Sequence, residues 1–225
     1  MGRLLRQVGK TGGVKQPGLS ARRLVILPAV IVFLAAPASR ADILDDLKAR
    51  QAGIRSVSAA FVQEKKTRLL AKPIRASGRF LYQQPGSIRW EYTGSTNMQV
   101  IFNGKDLWIY YLDLKEADKL SGVGQYGSMM HFDIATMSRD YAITAAKEKG
   151  LVRLSMTPKS KGPISLIEMD LQEGAAFPRM VRLLDRNSEP TTITFSNIKL
   201  NQGIPDSSFT FLPGKDVVIR DRSIP

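Results

Sequence analysis

The clearest periodic signal in the chain lies at 87–93, where Ile88, Trp90 and Tyr92 alternate with Arg89 and Glu91. Alternate side chains of an extended strand point to opposite faces. One face of this segment is therefore large and aromatic, and the other carries a positive and a negative charge two residues apart. The surrounding stretch, Gly78 to Leu114, holds both tryptophans and four of the six tyrosines. Similar apolar–polar patterning predicts strands near 57–68, 74–83, 98–103, 106–112, 140–146, 150–157, 163–172, 178–185 and 190–200. Between them stand turn formers such as Lys72-Pro73, Pro85-Gly86, Gly94-Ser95 and Asn103-Gly104-Lys105. Asn-Gly between two apolar runs is a strong hairpin signal. Connections this short force antiparallel pairing, because a parallel crossover needs a dozen or more residues.

Two segments break the strand rhythm. Asp42 is placed to cap a helix with Ile43, Leu44, Leu47 and Ile54 on one stripe and Gly53 as its stop. Between Leu120 and Tyr141, flexible glycines at 122, 124 and 127 precede a predicted helical run holding Met129, Met130, Phe132, Ile134 and Met137. The pattern thus predicts a mainly β, α+β domain of about ten or eleven antiparallel strands with a few short helices. A single sheet with one large apolar face needs a cover, since soluble proteins avoid large exposed apolar patches. The segment best composed as that cover is methionine-rich and glycine-hinged, a composition of adaptable surfaces rather than tight cores.

Charge and cysteine content narrow the setting. The chain of 225 residues has a formal charge of +13. Seven of its 33 basic residues and none of its 20 acidic ones lie in residues 1–41, so more than half of the excess belongs to this leader. A basic region ends at Arg22-Arg23, a thirteen-residue apolar core runs from Leu24 to Ala36, and Pro37-Ala38-Ser39-Arg40-Ala41 follows, mostly small residues. That core is too short for a stable membrane span, and Ser39-x-Ala41 suits a signal-peptide cleavage site. The expected organisation is a cleaved signal peptide at 1–41 and one exported domain at 42–225. Cysteine is absent, which excludes disulfides, a thiolate nucleophile and attachment of a lipid through an N-terminal cysteine.

Candidate chemistries are few. Gly122-x-Gly124-x-x-Gly127 matches the dinucleotide-binding spacing, but that motif works only between a strand and a helix of a βαβ unit. It lies amid antiparallel strands here, and reads as a hinge. His131 is the single histidine. No G-x-S-x-G presents a nucleophile to it, and Ser128 nearby is the one pairing an enzyme reading could use. One histidine without clustered carboxylates makes no expected metal site. The basic clusters Lys65-Lys66-x-Arg68 and Lys159-x-Lys161 fall at a strand end and a turn, lack interleaved stacking aromatics, and predict no nucleic-acid binding. The chain is expected to work without cofactor or metal and not as an enzyme.

In order and spacing, several anchors resemble the LolA family of periplasmic lipoprotein carriers. They are Phe61-x-Gln63, Gly78-x-Phe80, Pro85-Gly86-x-Ile88-Arg89-Trp90-x-Tyr92, Gly104-Lys105 followed by Leu107-Trp108-x-Tyr110, Thr157-Pro158-Lys159, and the ending Phe209-x-Phe211-x-Pro213-x-x-x-Val217. The resemblance spans Asp42 to about Asp221. It implies a half-open antiparallel β-barrel of about 11 strands with a short helical lid over a hydrophobic cavity. It further implies a monomer that takes acylated lipoproteins from an inner-membrane ABC-type releasing complex and hands them to an outer-membrane acceptor. Ile88 and Trp90 would line the cavity, and Met129, Met130, Phe132, Ile134 and Met137 would form the lid. Strand alternation adds Phe61, Phe80, Tyr82 and Tyr92 to the lining.

One position departs from the family pattern. The arginine expected immediately before the turn proline, which in the family bonds to the lid and holds it closed, is Gln84 here. Either the lid is held differently, or the cargo is another lipid or glycolipid. A sensor or binding module of the same fold is the remaining alternative.

Overall fold

The predicted alternation becomes a single sheet of twelve strands. The computed structural model describes residues 40–94, 97–121 and 132–222, and these belong to one compact unit. The described residues open with helix α1 (Arg40–Ala52) and continue through β1 (Ser56–Lys65), β2 (Ile74–Gln83), β3 (Ser87–Thr93), β4 (Met98–Phe102), β5 (Leu107–Tyr111) and β6 (Glu116–Leu120). A short helix α2 (Ile134–Asp140) leads into β7 (Tyr141–Glu148), β8 (Leu151–Pro158), β9 (Ile164–Gln172), β10 (Met180–Asp185) and β11 (Pro190–Leu200). The last strand is β12 (Val218–Asp221). Their order across the sheet is β12-β6-β5-β4-β3-β2-β1-β11-β10-β9-β8-β7. The two edge strands, β12 and β7, are not paired with each other, so the barrel stays half open.

Two strands lie beyond the predicted set. Glu116–Leu120 reads EADKL, with three charged residues in five and no apolar run, yet it pairs antiparallel with β5. Val218–Asp221 pairs parallel with β6, an exception to the antiparallel expectation. A long connection separates those two strands, which removes the hairpin constraint that made the other pairings antiparallel.

Register places every second residue on the inner face. Phe61 stands opposite Gly78 on β2 and Phe195 on β11. Phe80 stands opposite Trp90, Tyr82 opposite Ile88, and Trp90 opposite Val100. On the far half, Val181 pairs with Met169, Met169 with Leu154, and Leu154 with Ala145. These residues form one buried core that also takes in Leu47 of α1 and Ile134 and Met137 of α2. The main core therefore sits inside the curve of the sheet.

The outer face is divided. Over β8–β10 it is polar, with a bidentate Arg153–Asp170 pair at 2.7 and 2.8 Å and an Arg182–Glu168 pair at 2.9 Å. Over β2–β6 it mixes charged residues with an apolar patch: Leu81, Ile101 and Ala117 are buried on that side. The chain after β11 lies across it, burying Phe209 and setting Phe211 4.8 Å from Trp108 and 5.3 Å from Tyr110, centroid to centroid. Arg89 bonds to Glu91 at 2.7 Å and donates from Nη1 to the Ser208 carbonyl at 3.0 Å. The charged face of β3 thus anchors the C-terminal arm.

Candidate functional site

The inner face around β1–β3 is built on a missing side chain. A Cβ on Gly78 would lie 1.7 Å from the Glu91 carbonyl oxygen and 3.0 Å from Cε1 of Phe61. Only glycine leaves that space. Across it the Phe61 ring reaches past β2 to meet Trp90 at 4.9 Å and Tyr92 at 5.1 Å, both edge-on. Phe80 lies 4.6 Å from Trp90. Edge-to-face pairs within this range add about 0.5–1.5 kcal/mol each beyond burial. Four of the six residues expected to line a cavity, Trp90 from the resemblance and Phe61, Phe80 and Tyr92 from alternation, come together in this cluster. Ile88 is fully buried one turn of the pleat away, and Tyr82 is half-buried nearer the rim.

Three further phenylalanines complete the cluster. Phe132 lies 5.9 Å from Phe80 and 6.4 Å from Trp90, Phe177 lies 5.9 Å from Phe132, and Phe195 lies 5.1 Å from Phe177. Phe132 was expected from the sequence, although within a helix. Phe195 alternates with Ile193 on β11 and was open to the same reasoning as Trp90. Phe177 sits on the β9–β10 connection, where no periodicity marks it.

Phe132 does not belong to the helix. Its φ is +47°, the left-handed region that a bulky residue rarely adopts. Asp133 then caps α2, accepting from Ala135 N at 3.3 Å, Thr136 N at 3.0 Å and Thr136 Oγ1 at 2.6 Å. Ile134 and Met137 of α2 face the core and are buried. Met129, Met130 and the glycines at 122, 124 and 127 lie outside the described residues.

The unusual backbone at Phe132 is held by a residue not singled out in the sequence. Gln51, at the end of α1, accepts from Ile134 N at 2.9 Å through Oε1. Its Nε2 donates to the Phe132 carbonyl at 2.9 Å and to the Ala176 carbonyl at 3.1 Å. One amide therefore ties α1, the approach to α2 and the β9–β10 connection into a single clasp. Both neighbouring phenylalanines, Phe132 and Phe177, belong to the aromatic cluster. Nothing in the periodicity of α1 distinguishes this glutamine.

Beside the clasp opens a cleft of about 430 Å³, lined among others by Gln51, Tyr82, Gln84, Phe132, Asp133 and Phe177. Burial, and secondarily the Asp133 carboxylate, push the Tyr82 phenol above its ordinary pKa. Tyr92, deeper in, is raised by burial and donates to Gln63 Oε1 at 3.2 Å. Gln84 is exposed at the cleft mouth, and its backbone N donates to the Arg55 carbonyl at 2.8 Å. Its side chain makes no hydrogen bond among the described residues.

A family model described as outer membrane lipoprotein carrier protein LolA matches residues 52–212. The chain belongs to the LolA family. It is 32% identical over 200 residues to an outer-membrane lipoprotein carrier protein of Chromobacterium violaceum, covering 86% of this chain and 95% of that one. A protein of the same description from Dechloromonas aromatica is 27% identical over 211 residues, covering 91% and 97%. Among solved structures, an uncharacterized conserved protein from Thermus thermophilus superposes with a TM-score of 0.53 at 14% identity, over 82% of this chain and all of that one. That last likeness is one of fold alone.

Proposed function

We propose that this protein is a carrier of outer-membrane lipoproteins, and that it holds their acyl chains on the inner face lined by Phe61, Phe80, Tyr82, Ile88, Trp90 and Tyr92. The observation that carries this reading is the seating of Phe132. A lid residue occupies the aromatic floor through ring contacts and one glutamine clasp, beside an open cleft, so the floor is covered but not sealed. The cargo and Phe132 compete for the same surface.

Magnitudes explain why such competition is useful. Burying one CH₂ contributes about 0.8 kcal/mol, so a sixteen-carbon chain could bring roughly 12 kcal/mol. Two or three chains bound at that strength would be held almost irreversibly. Displacing the Phe132 ring and breaking the Gln51 bonds, at about 0.5–1.5 kcal/mol each, subtracts from this total. Reclosure then assists release with no nucleotide hydrolysed on this chain. The lid comprises Phe132, Ile134 and Met137, with Met129 and Met130 on the preceding segment, and Gly122, Gly124 and Gly127 its hinge. Gln51 takes the latch duty that an arginine at position 84 would have served.

Residues 1–41 serve as a cleaved export signal, and the mature, unlipidated protein works in the periplasm. Its donor is an inner-membrane ABC-type releasing complex, and its recipient an outer-membrane acceptor. The decisive experiment is mass spectrometry of lipoproteins and lipids co-purifying with the protein from its own periplasm, paired with loading of lipoproteins of graded acyl length. Triacylated lipoprotein, bound more tightly as the chains lengthen, is the expected result. Co-purification of a glycolipid alone would assign a different cargo, and loading independent of chain length would overturn the cavity reading.

A further inference from the structure

The β1–β2 connection carries exposed aliphatic side chains at its apex. It reads Lys66-Thr-Arg-Leu-Leu-Ala-Lys72-Pro, and Leu69 at its apex is 91% exposed. Leu70 and Ile74 beside it are each 52% exposed. Isolated exposed leucines are ordinary, but three neighbouring aliphatics on one hairpin tip form a patch. Around them stand Lys65, Lys66, Arg68, Lys72 and Arg75, all exposed.

The tip is braced rather than loose. Glu189, on the adjacent β10–β11 turn, accepts from Arg68 N at 2.9 Å and from Thr67 Oγ1 at 3.0 Å. Arg68 Nη2 donates to the Asn187 carbonyl at 3.0 Å, and Leu70 N to the Thr67 carbonyl at 3.3 Å. The nearby carboxylates are committed: Glu189 to this brace, and Glu64 to Arg75 at 2.7 Å. Lys65, Lys66 and Lys72 carry no acidic partner among the described residues. Aliphatics held outward at the apex of a cationic collar fit a surface that is apolar beneath and anionic on top.

We infer that the β1–β2 tip is a docking element for an anionic lipid bilayer, with Leu69 and Leu70 entering the headgroup boundary and Lys65, Lys66 and Lys72 meeting the lipid phosphates. Apolar insertion combined with basic residues is the established physics of reversible interfacial binding. The tip and the cleft lie at opposite ends of β2, which at ten residues spans about 33 Å. Docking therefore leaves the cleft uncovered, and this inference stands apart from the cargo reading.

The test is sedimentation of the purified protein with vesicles of phosphatidylcholine alone or containing one-third phosphatidylglycerol. Residues 1–41, if retained, are common to every form compared. Partition onto the anionic vesicles at least tenfold stronger, weakening as salt rises from 0.05 to 0.5 M, is expected. Leu69→Ala/Leu70→Ala and, separately, Lys66→Glu/Lys72→Glu should each reduce it about tenfold, with unchanged circular dichroism and unchanged lipoprotein loading. Equal partition onto both vesicle types, or variants that bind like the parent, would overturn the inference. Retention on immobilised polyglutamate without vesicle binding would also overturn it, assigning the tip to an acidic protein surface.

Discussion

Phe61 and Gly78 face each other across β1 and β2, and the empty space at Gly78 is what allows the Phe61 ring to reach Trp90 and Tyr92 on the next strand. Gly78→Ala should therefore push on backbone, since its methyl would meet the Glu91 carbonyl. A loss of about 3 kcal/mol or more is expected, at the upper end of overpacking costs. Urea denaturation measures it, and a cost below about 1 kcal/mol would mean that β3 shifts freely.

Trp90→Ala removes the centre of the aromatic floor. Truncating a buried aromatic costs about 3–5 kcal/mol. Because Phe80, Phe132 and Phe195 all touch this ring, the cavity left behind cannot close by moving one neighbour. Loading of acylated lipoprotein should fall at least tenfold in the same variant, and unchanged loading would argue against the proposed cavity.

Gln51→Leu keeps the bulk of the clasp and deletes its three hydrogen bonds. With about 0.5–1.5 kcal/mol at stake for each, the base of the proposed lid should open more often. Hydrogen exchange at Ile134 N is the direct readout, and acceleration by at least tenfold is expected. Release of the left-handed Phe132 should also strengthen acyl binding, because less competition opposes the cargo. Slower exchange or weaker loading would contradict the clasp.

The buried tyrosines make an alkaline prediction. Tyr92 is raised above its ordinary pKa of 10.0 by burial, so the native state holds its proton longer than the unfolded chain does. Its contribution to stability is full below about pH 10 and is lost as pH rises through the folded-state value. Tyr92→Phe should flatten the fall in stability above about pH 10, as measured by denaturant midpoints across roughly pH 8 to 12. A parallel decline in both proteins would remove Tyr92 as its source.

Arg89 tests the outer face. Arg89→Ala removes the bond to the Ser208 carbonyl and leaves Glu91 without this partner, costing about 1–3 kcal/mol. Faster limited proteolysis within 201–217, with the inner-face fluorescence of Trp90 little changed, is the expected signature.

Much of the framework was legible because alternation is a local property. Ten of the twelve strands, the Asn103-Gly104 hairpin and the inward set of Phe61, Phe80, Ile88 and Trp90 all follow from period-two patterning and turn chemistry. The two strands that escaped it are edge-region pairings. Glu116–Leu120 becomes a strand because β5 pairs with it on one side and β12 on the other, not because its own residues favour one. Val218–Asp221 depends on where that arm ends.

The sequence by itself determined that one face of this sheet would be aromatic and in need of a cover, since side-chain direction in a strand depends only on parity. Only the tertiary structure decided what covers it. Phe132, Phe177 and Gln51 are far apart in sequence, and hydrogen bonds and ring contacts between distant segments have no local periodicity to announce them. The family resemblance implies a lid latch at position 84, where Gln84 stands, while the observed clasp comes from Gln51 on α1.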